Sequence, residues 1–339
     1  MWLVPEGSLG DRVRGVSMNI SRVGVELWPG AESMGYELTS DLMSVTIADL
    51  GAHLASVILR LEDDQELQIN VGYPPGAVDG AGYHGASVGR YANRIAGSRF
   101  AFDDVEYEVE PNEGLNQLHG GTDGFNTYAW AADSETDGDI GRVIMRHTSK
   151  SGDMGFPGKV KASATFELAG NRLSIDYRAT VDEPTPLNMT NHVYWNLAGD
   201  GMLDGHELTV AASTYVEVDA DNIPVPGPPV AVSGTRFNCN DKRSLADVVD
   251  AGGYDHCFVL DQKAMISASL WHESGRRIDL TTNQIGLQTY TGQHLDAGCR
   301  GIALETQCLP DTPNRPDFGD CIVRPVEEYH ASTTFTFTA

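Results

Sequence analysis

Short apolar runs of period two, each broken by a glycine-bearing or acidic turn, constrain this chain more than any other feature. Ala164, Phe166 and Leu168 alternate with polar residues, Gly170 and Asn171 make a turn pair, and Leu173, Ile175, Tyr177 and Ala179 alternate back. Such a pattern is a β-hairpin with one apolar and one mixed face. The same pattern links Phe100 and Phe102 through Asp103-Asp104 to Val105, Tyr107 and Val109. An earlier series opens at 36–39, continues through Val45, Ile47 and Leu50 to Gly51, and returns by Leu54, Val57 and Leu59 to the turn Glu62-Asp63-Asp64. Strand patterns resume at 278–280, at 286–290 and in the Thr/Phe-rich segment 330–338, whereas only 245–249 reads as a short helix. Strands with one apolar face must cover it with another sheet, so the expected class is all-β, a large β-sandwich.

The 37 glycines and 16 prolines among 339 residues are spread between these runs, and two concentrations mark loops. Residues 72–99 read as a long irregular segment carrying Arg90, Asn93 and Arg94, and loops on a rigid sheet are where binding groups commonly sit. Residues 221–229 carry Pro224, Pro226, Pro228 and Pro229, which cannot donate to a sheet ladder, and read as a surface loop. The opening MWLVPEGSLGDRVRG lacks the continuous apolar core of a signal peptide. Residues 1–20 are therefore expected to be a flexible leader, and 21–339 one domain. No apolar run reaches the length needed to cross a bilayer.

A formal charge of −25, from 23 basic and 48 acidic residues, repels phosphates at long range and argues against nucleic acid or an anionic membrane as a partner. The five cysteines, Cys239, Cys257, Cys299, Cys308 and Cys321, are odd in number and include no C-x-x-C pair, which fits reduced thiols in a cytoplasmic protein. His119, His192 and His256 lack the close spacing of a metal motif, and no complete nucleotide-binding glycine loop is present. Neither a metal nor a cofactor is expected.

Three polar clusters remain, at 119–125, 190–197 and 305–314. His192 stands beside Asn191, an amide able to fix a ring or hydroxyl, and beside Tyr194 and Trp195, which suit the apolar face of a pyranose or the inter-sheet core. Glu305 ends the apolar run Ile302-Ala303-Leu304 just before a proline-rich turn, the position of a strand-end site.

GRYANRIAG at 89–97, LHGGTDGF at 118–125, TNHVYWNL at 190–197 and ETQCLPDTPNRPDF at 305–318 follow one another as in the aldose 1-epimerase (galactose mutarotase) family, with GGYDH at 252–256 and GLQTYTG at 286–292 between the last two. The chain resembles that family from about residue 40 to its end. The resemblance implies a β-supersandwich with an open sugar cleft, no cofactor, and anomer exchange of free monosaccharides such as galactose and glucose. It makes Glu305 the general base and His192 the general acid, with Asn93, Arg94, His119, Asp255 and Gln288 binding substrate. Cys308-Leu309 departs from the larger polar or aromatic pair common in the family, which bears on fine sugar preference. A non-catalytic sugar-binding sandwich would not need both Glu305 and His192, and a glycoside hydrolase commonly uses two carboxylates.

Overall fold

The computed structural model describes residues 18–62, 65–78, 80–295, 298 and 300–339. Of the expected leader, positions 1–17 lie outside the described residues. Asn19 and Ile20 do not belong to a leader, because both are in the strand Asn19–Glu26, which pairs antiparallel with Glu32–Thr39 and rests Ile20 against the core.

Among the described residues the strands form three large antiparallel sheets and several two-stranded ribbons. The largest has nine strands and contains the expected hairpin as Val160–Ala169 and Arg172–Val181. Its neighbour is the closing strand Tyr329–Thr338. A six-stranded sheet runs, in spatial order, Tyr194–Trp195, Ile302–Gln307, Gly286–Tyr290, Asp255–Leu260, Ala212–Tyr215 and Val230–Ala231. A five-stranded sheet is made of Asn19–Glu26, Glu32–Thr39, Met43–Ala48, His53–Arg60 and Glu66–Gln68.

All three sheets feed one core. Leu38, Val45 and Val57 come from the five-stranded sheet, Phe166, Ile175 and Phe335 from the nine-stranded one, and Phe258, Leu287 and Leu304 from the six-stranded one. Trp195 is wholly buried, with its ring 4.9 Å from Phe335 and 5.5 Å from Phe337. Thr306 and Thr333 hydroxyls hydrogen-bond between the same two sheets. Alternation explains the hairpin: the even-numbered residues of Val160–Ala169 are buried and the odd ones are not. The strand Ile302–Gln307 is instead buried throughout, since one face meets the core and the other meets the cavity described below.

The helix occupies Leu245–Asp250, where Ser244 caps it by accepting from the Asp247 N–H. The segment 72–99 is less irregular than expected, because Ser87–Val88 pairs with Thr190–Asn191 and Arg94–Ile95 pairs with Gln117–Leu118. One of these two-residue ladders ties the motif at 89–97 to that at 118–125, and the other ties the motif at 190–197 to the residues just before 89. No helix of the described residues is long and apolar enough to cross a membrane.

Candidate active site

Sheet register builds the floor of the site. Gln288 lies directly opposite Glu305, and Cys257 lies opposite Gln288. Residues directly paired across a sheet point to the same face, as do residues two apart on one strand. Asp255, two residues before Cys257, therefore joins Gln288 and Glu305 on the face away from the core. Its carboxylate accepts from the Gln288 amide at 2.6 Å. Tyr194 pairs with Ala303 and falls on this same face, whereas Trp195 pairs with Ile302 and falls on the other. Tyr194 accordingly lines the cavity and Trp195 fills the core, so Trp195 is not available to stack on a ligand.

The wall is built from the ladder that ties Arg94 to Leu118. Just outside it, Asn93 and His119 grip each other: the His119 N–H donates to the Asn93 carbonyl and the Asn93 N–H donates to Nδ1 of His119, both at 3.1 Å. Both residues have positive φ, 69° and 55°, a conformation that non-glycine residues adopt at a cost. His192 follows the ribbon Thr190–Asn191 and is fixed by backbone bonds to Ala86 and Gly85. Its ring stacks on Tyr83 at 5.7 Å and sits 5.0 Å from Tyr194 and 5.3 Å from His119.

These elements enclose an open cavity of about 310 Å³, a size suited to a small ligand. All seven residues expected from sequence line it: Asn93, Arg94, His119, His192, Asp255, Gln288 and Glu305. Nε2 of His192 is 3.5 Å from Oε1 of Glu305, and the two residues are 4 % and 1 % exposed. Oε2 of Glu305 and Oε1 of Gln288 have no hydrogen-bond partner among the described residues. Buried polar atoms are rarely left so, and both are acceptors that sugar hydroxyls can serve.

Electrostatics sort the groups. Burial, reinforced by Asp255, pushes the Glu305 carboxyl well above the usual carboxylate range, and Arg94 opposes the shift. Burial, with His84 adding to it, lowers the His192 imidazole to about 3. Burial also holds His119 well below the ordinary histidine value, aided by His192 and Arg94. The Asp255 carboxyl is raised by burial, against the pull of Arg94 and Gln288. For Arg94 burial works downward, but the hydrogen bonds it donates to Glu113 and the charge of Asp255 outweigh it and raise the guanidinium.

His119, His192 and Glu305 each bring one ligand-type atom to within 4.8 Å of the others, the outline of a three-ligand metal set. His119 does not fit that role. Its Nδ1 lone pair is taken by the Asn93 N–H, so the neutral ring carries its proton on Nε2 and has no lone pair left for a metal. His256 lies elsewhere, its ring 4.4 Å from that of Phe237.

Other sequence readings are corrected. Arg90 does not face the cavity: it is 2 % exposed and donates to Ser149, Pro157, Gly158 and Lys150, locking one loop to another. Asn191 donates to the Gly85 carbonyl and so fixes that loop. Cys308 and Leu309 do not line the cavity either; Leu309 packs with Val216, Cys257 and Phe318. Sequence reasoning missed Tyr83, Glu113, Tyr290, Asn222 and His294, which line the cavity alongside Gly82, Leu118 and Leu295. Tyr83 precedes the first motif by a few residues and Asn222 lies in the proline-rich loop, so proximity to those features was the available signal.

Stacked sheets that carry a buried carboxylate and imidazole at the floor of an open polar cleft define an acid–base enzyme of the β-sandwich class. Residues 34–336 match the profile of the aldose 1-epimerase family. The chain is 38 % identical to the aldose 1-epimerase of Escherichia coli (strain K12), covering 88 % of this chain and 92 % of that one. It is 35 % identical to the galactose mutarotase of Rattus norvegicus, covering 89 % and 93 %. The crystal structure of galactose 1-epimerase from Lactobacillus acidophilus superposes with a TM-score of 0.84 at 25 % identity, covering 95 % of this chain and 99 % of that one. The aldose epimerase homologue from C. elegans gives 0.81 at 26 %, covering 95 % and 99 %. The chain belongs to the aldose 1-epimerase family.

Proposed function

We propose that the protein interconverts the α and β anomers of free aldoses, D-galactose and D-glucose foremost, by acid–base opening and reclosure of the pyranose ring. The observation that carries this reading is the 3.5 Å approach of His192 Nε2 to Glu305 Oε1 at the floor of a cavity lined by hydroxyl-binding groups. Ring opening needs a base at the anomeric hydroxyl and an acid at the ring oxygen of the same sugar. Glu305 takes the O1 proton, the C1–O1 double bond forms as C1–O5 breaks, and O5 takes a proton from His192. Rotation about C1–C2 turns the other face of the aldehyde to the C5 hydroxyl, and reclosure returns both protons. Electrons and atoms balance within the sugar and the two side chains.

Within the protein alone, burial favours the neutral arrangement of the pair, with the proton on Glu305 and none on His192. A bound aldose alters this balance, because its anomeric hydroxyl donates to the carboxylate and its ring oxygen accepts from the imidazolium, stabilising both charged forms. Arg94, which opposes the rise of the Glu305 carboxyl, assists the same change. Asp255 and Gln288 accept and donate to ring hydroxyls, and Asn93, Arg94 and His119 hold the other edge. The free thiols of Cys239, Cys257, Cys308 and Cys321 support a reducing, cytoplasmic setting.

Polarimetry on freshly dissolved α-D-galactose and α-D-glucose tests the reading. The wild-type protein should speed the approach to equilibrium, and Glu305→Gln should lose roughly 10²–10⁴-fold in turnover while still binding sugar. Rates equal to buffer for both sugars would sink the assignment to these substrates, and full activity in Glu305→Gln would remove the base.

A further inference from the structure

Resting on that reading, we propose that Glu113, acting through Arg94, makes the site selective for uncharged aldoses and turns away aldoses that carry a carboxylate or phosphate. Arg94 is the only arginine or lysine among the described residues lining the cavity. It is therefore the natural docking point for an anionic substituent. A guanidinium binds such a group best through two parallel N–H bonds, and in this protein that fork is already taken. Nε and Nη2 of Arg94 donate to Oε2 and Oε1 of Glu113 at 2.7 and 2.9 Å, and Nη2 is also 3.9 Å from Asp255. An incoming anion would have to displace Glu113 and would then face the carboxyl groups of Glu113, Asp255 and Glu305 together.

The turn that presents Glu113 is set by groups other than its side chain. The Glu113 and Asn112 N–H groups both donate to the Asn116 carbonyl, and Asn116 N–H returns a bond to Glu113. Asn112 bridges to the Leu118 backbone in both directions, at 2.7 and 3.0 Å, and Asn116 accepts from the Gly97 N–H. The carboxylate of Glu113 makes its two hydrogen bonds to Arg94, so its removal alters the charge at the cavity wall without dismantling the turn. Glu113 is thus a positioning and specificity residue, distinct from the groups that move protons.

The test compares D-galactose with D-galacturonate, which differ by a carboxylate at C6, in polarimetric assays of the wild type, Glu113→Gln and Glu113→Ala. Wild-type kcat/KM for galacturonate should lie about 100-fold below that for galactose. Both variants should narrow that ratio by about tenfold or more, chiefly through a lower KM for galacturonate, because the Arg94 fork is released. An unchanged ratio in both variants, or a wild type that turns over the two sugars equally, overturns the proposal. A general fall in activity on both sugars with the ratio preserved would assign Glu113 a purely structural part and overturns it too. Failure of the wild type on galactose itself would instead refute the function from which the proposal starts.

Discussion

His192→Asn keeps a polar side chain at the cavity floor but removes the group proposed to give a proton to the ring oxygen. Its kcat should fall roughly 10²-fold or more, with KM for galactose changing far less. A variant impaired only in KM would make His192 a recognition group. This residue was legible from its motif, although of the neighbours that marked it only Tyr194 shares the cavity, Asn191 fixing a loop and Trp195 filling the core; Glu305, Asp255 and Gln288 were legible because each lies inside a motif that forms one strand of the floor. Glu113 was not, because its importance lies in an ion pair with Arg94, 19 positions away, which only the pairing of Leu118 with Arg94 brings about. Arg90 shows the opposite failure. An arginine beside a glycine in a loop reads as a ligand contact until the four partners that bury it are seen.

Among the elements, the close crossing of the segments around Gly89 and Gly120 governs where His119 sits. Gly120 has φ of 87°, and a methyl group added there would lie 2.0 Å from the Gly89 carbonyl oxygen and 2.7 Å from the Arg90 nitrogen. Gly120→Ala should therefore cost about 3 kcal/mol or more of stability, or push His119 out of the cavity and reduce turnover with it. Urea unfolding and polarimetry on the variant decide the matter, and wild-type values in both would show that the crossing is pliable. The hairpins were legible from alternation, and the turn at Asp103-Asp104 follows from two residues able to take positive φ, here 50° and 61°. Ribbons of two residues carry no periodicity to read, which is why 72–99 looked structureless although its short pairings assemble the wall of the site.

For the whole molecule, buried imidazoles dominate the response to mild acid. Burial lowers His53, His206 and His256 to about 4 and His192 to about 3. In the unfolded chain these groups take up protons from about pH 6.5 downward, while in the folded protein they stay neutral, so stability falls as pH drops through this range. Each contributes at most about 1.4 kcal/mol per pH unit. The raised carboxyls of Glu305, Asp255 and Asp311 work in the opposite direction, but burial also lowers His84, His119, His147 and His272, so among the described residues three carboxyls stand against eight imidazoles. Urea midpoints should therefore decline from pH 6.5 to 5, before exposed carboxylates titrate; a flat profile would mean that the imidazoles are protonated without unfolding. At this scale the sheet class was legible, but the stacking of three sheets on one core was not, since it depends on contacts such as Trp195 with Phe335 that are distant along the chain. The cavity floor consists of central strands whose register cannot slip without turning Glu305 into the core, whereas its rim is made by the loops bearing Tyr83, Glu113, Asn222 and His294. Tolerance to change is thereby partitioned: substitutions in the rim loops alter what an incoming ligand meets, while Glu305, Gln288 and Asp255 keep their shared face only if three paired strands hold their register together.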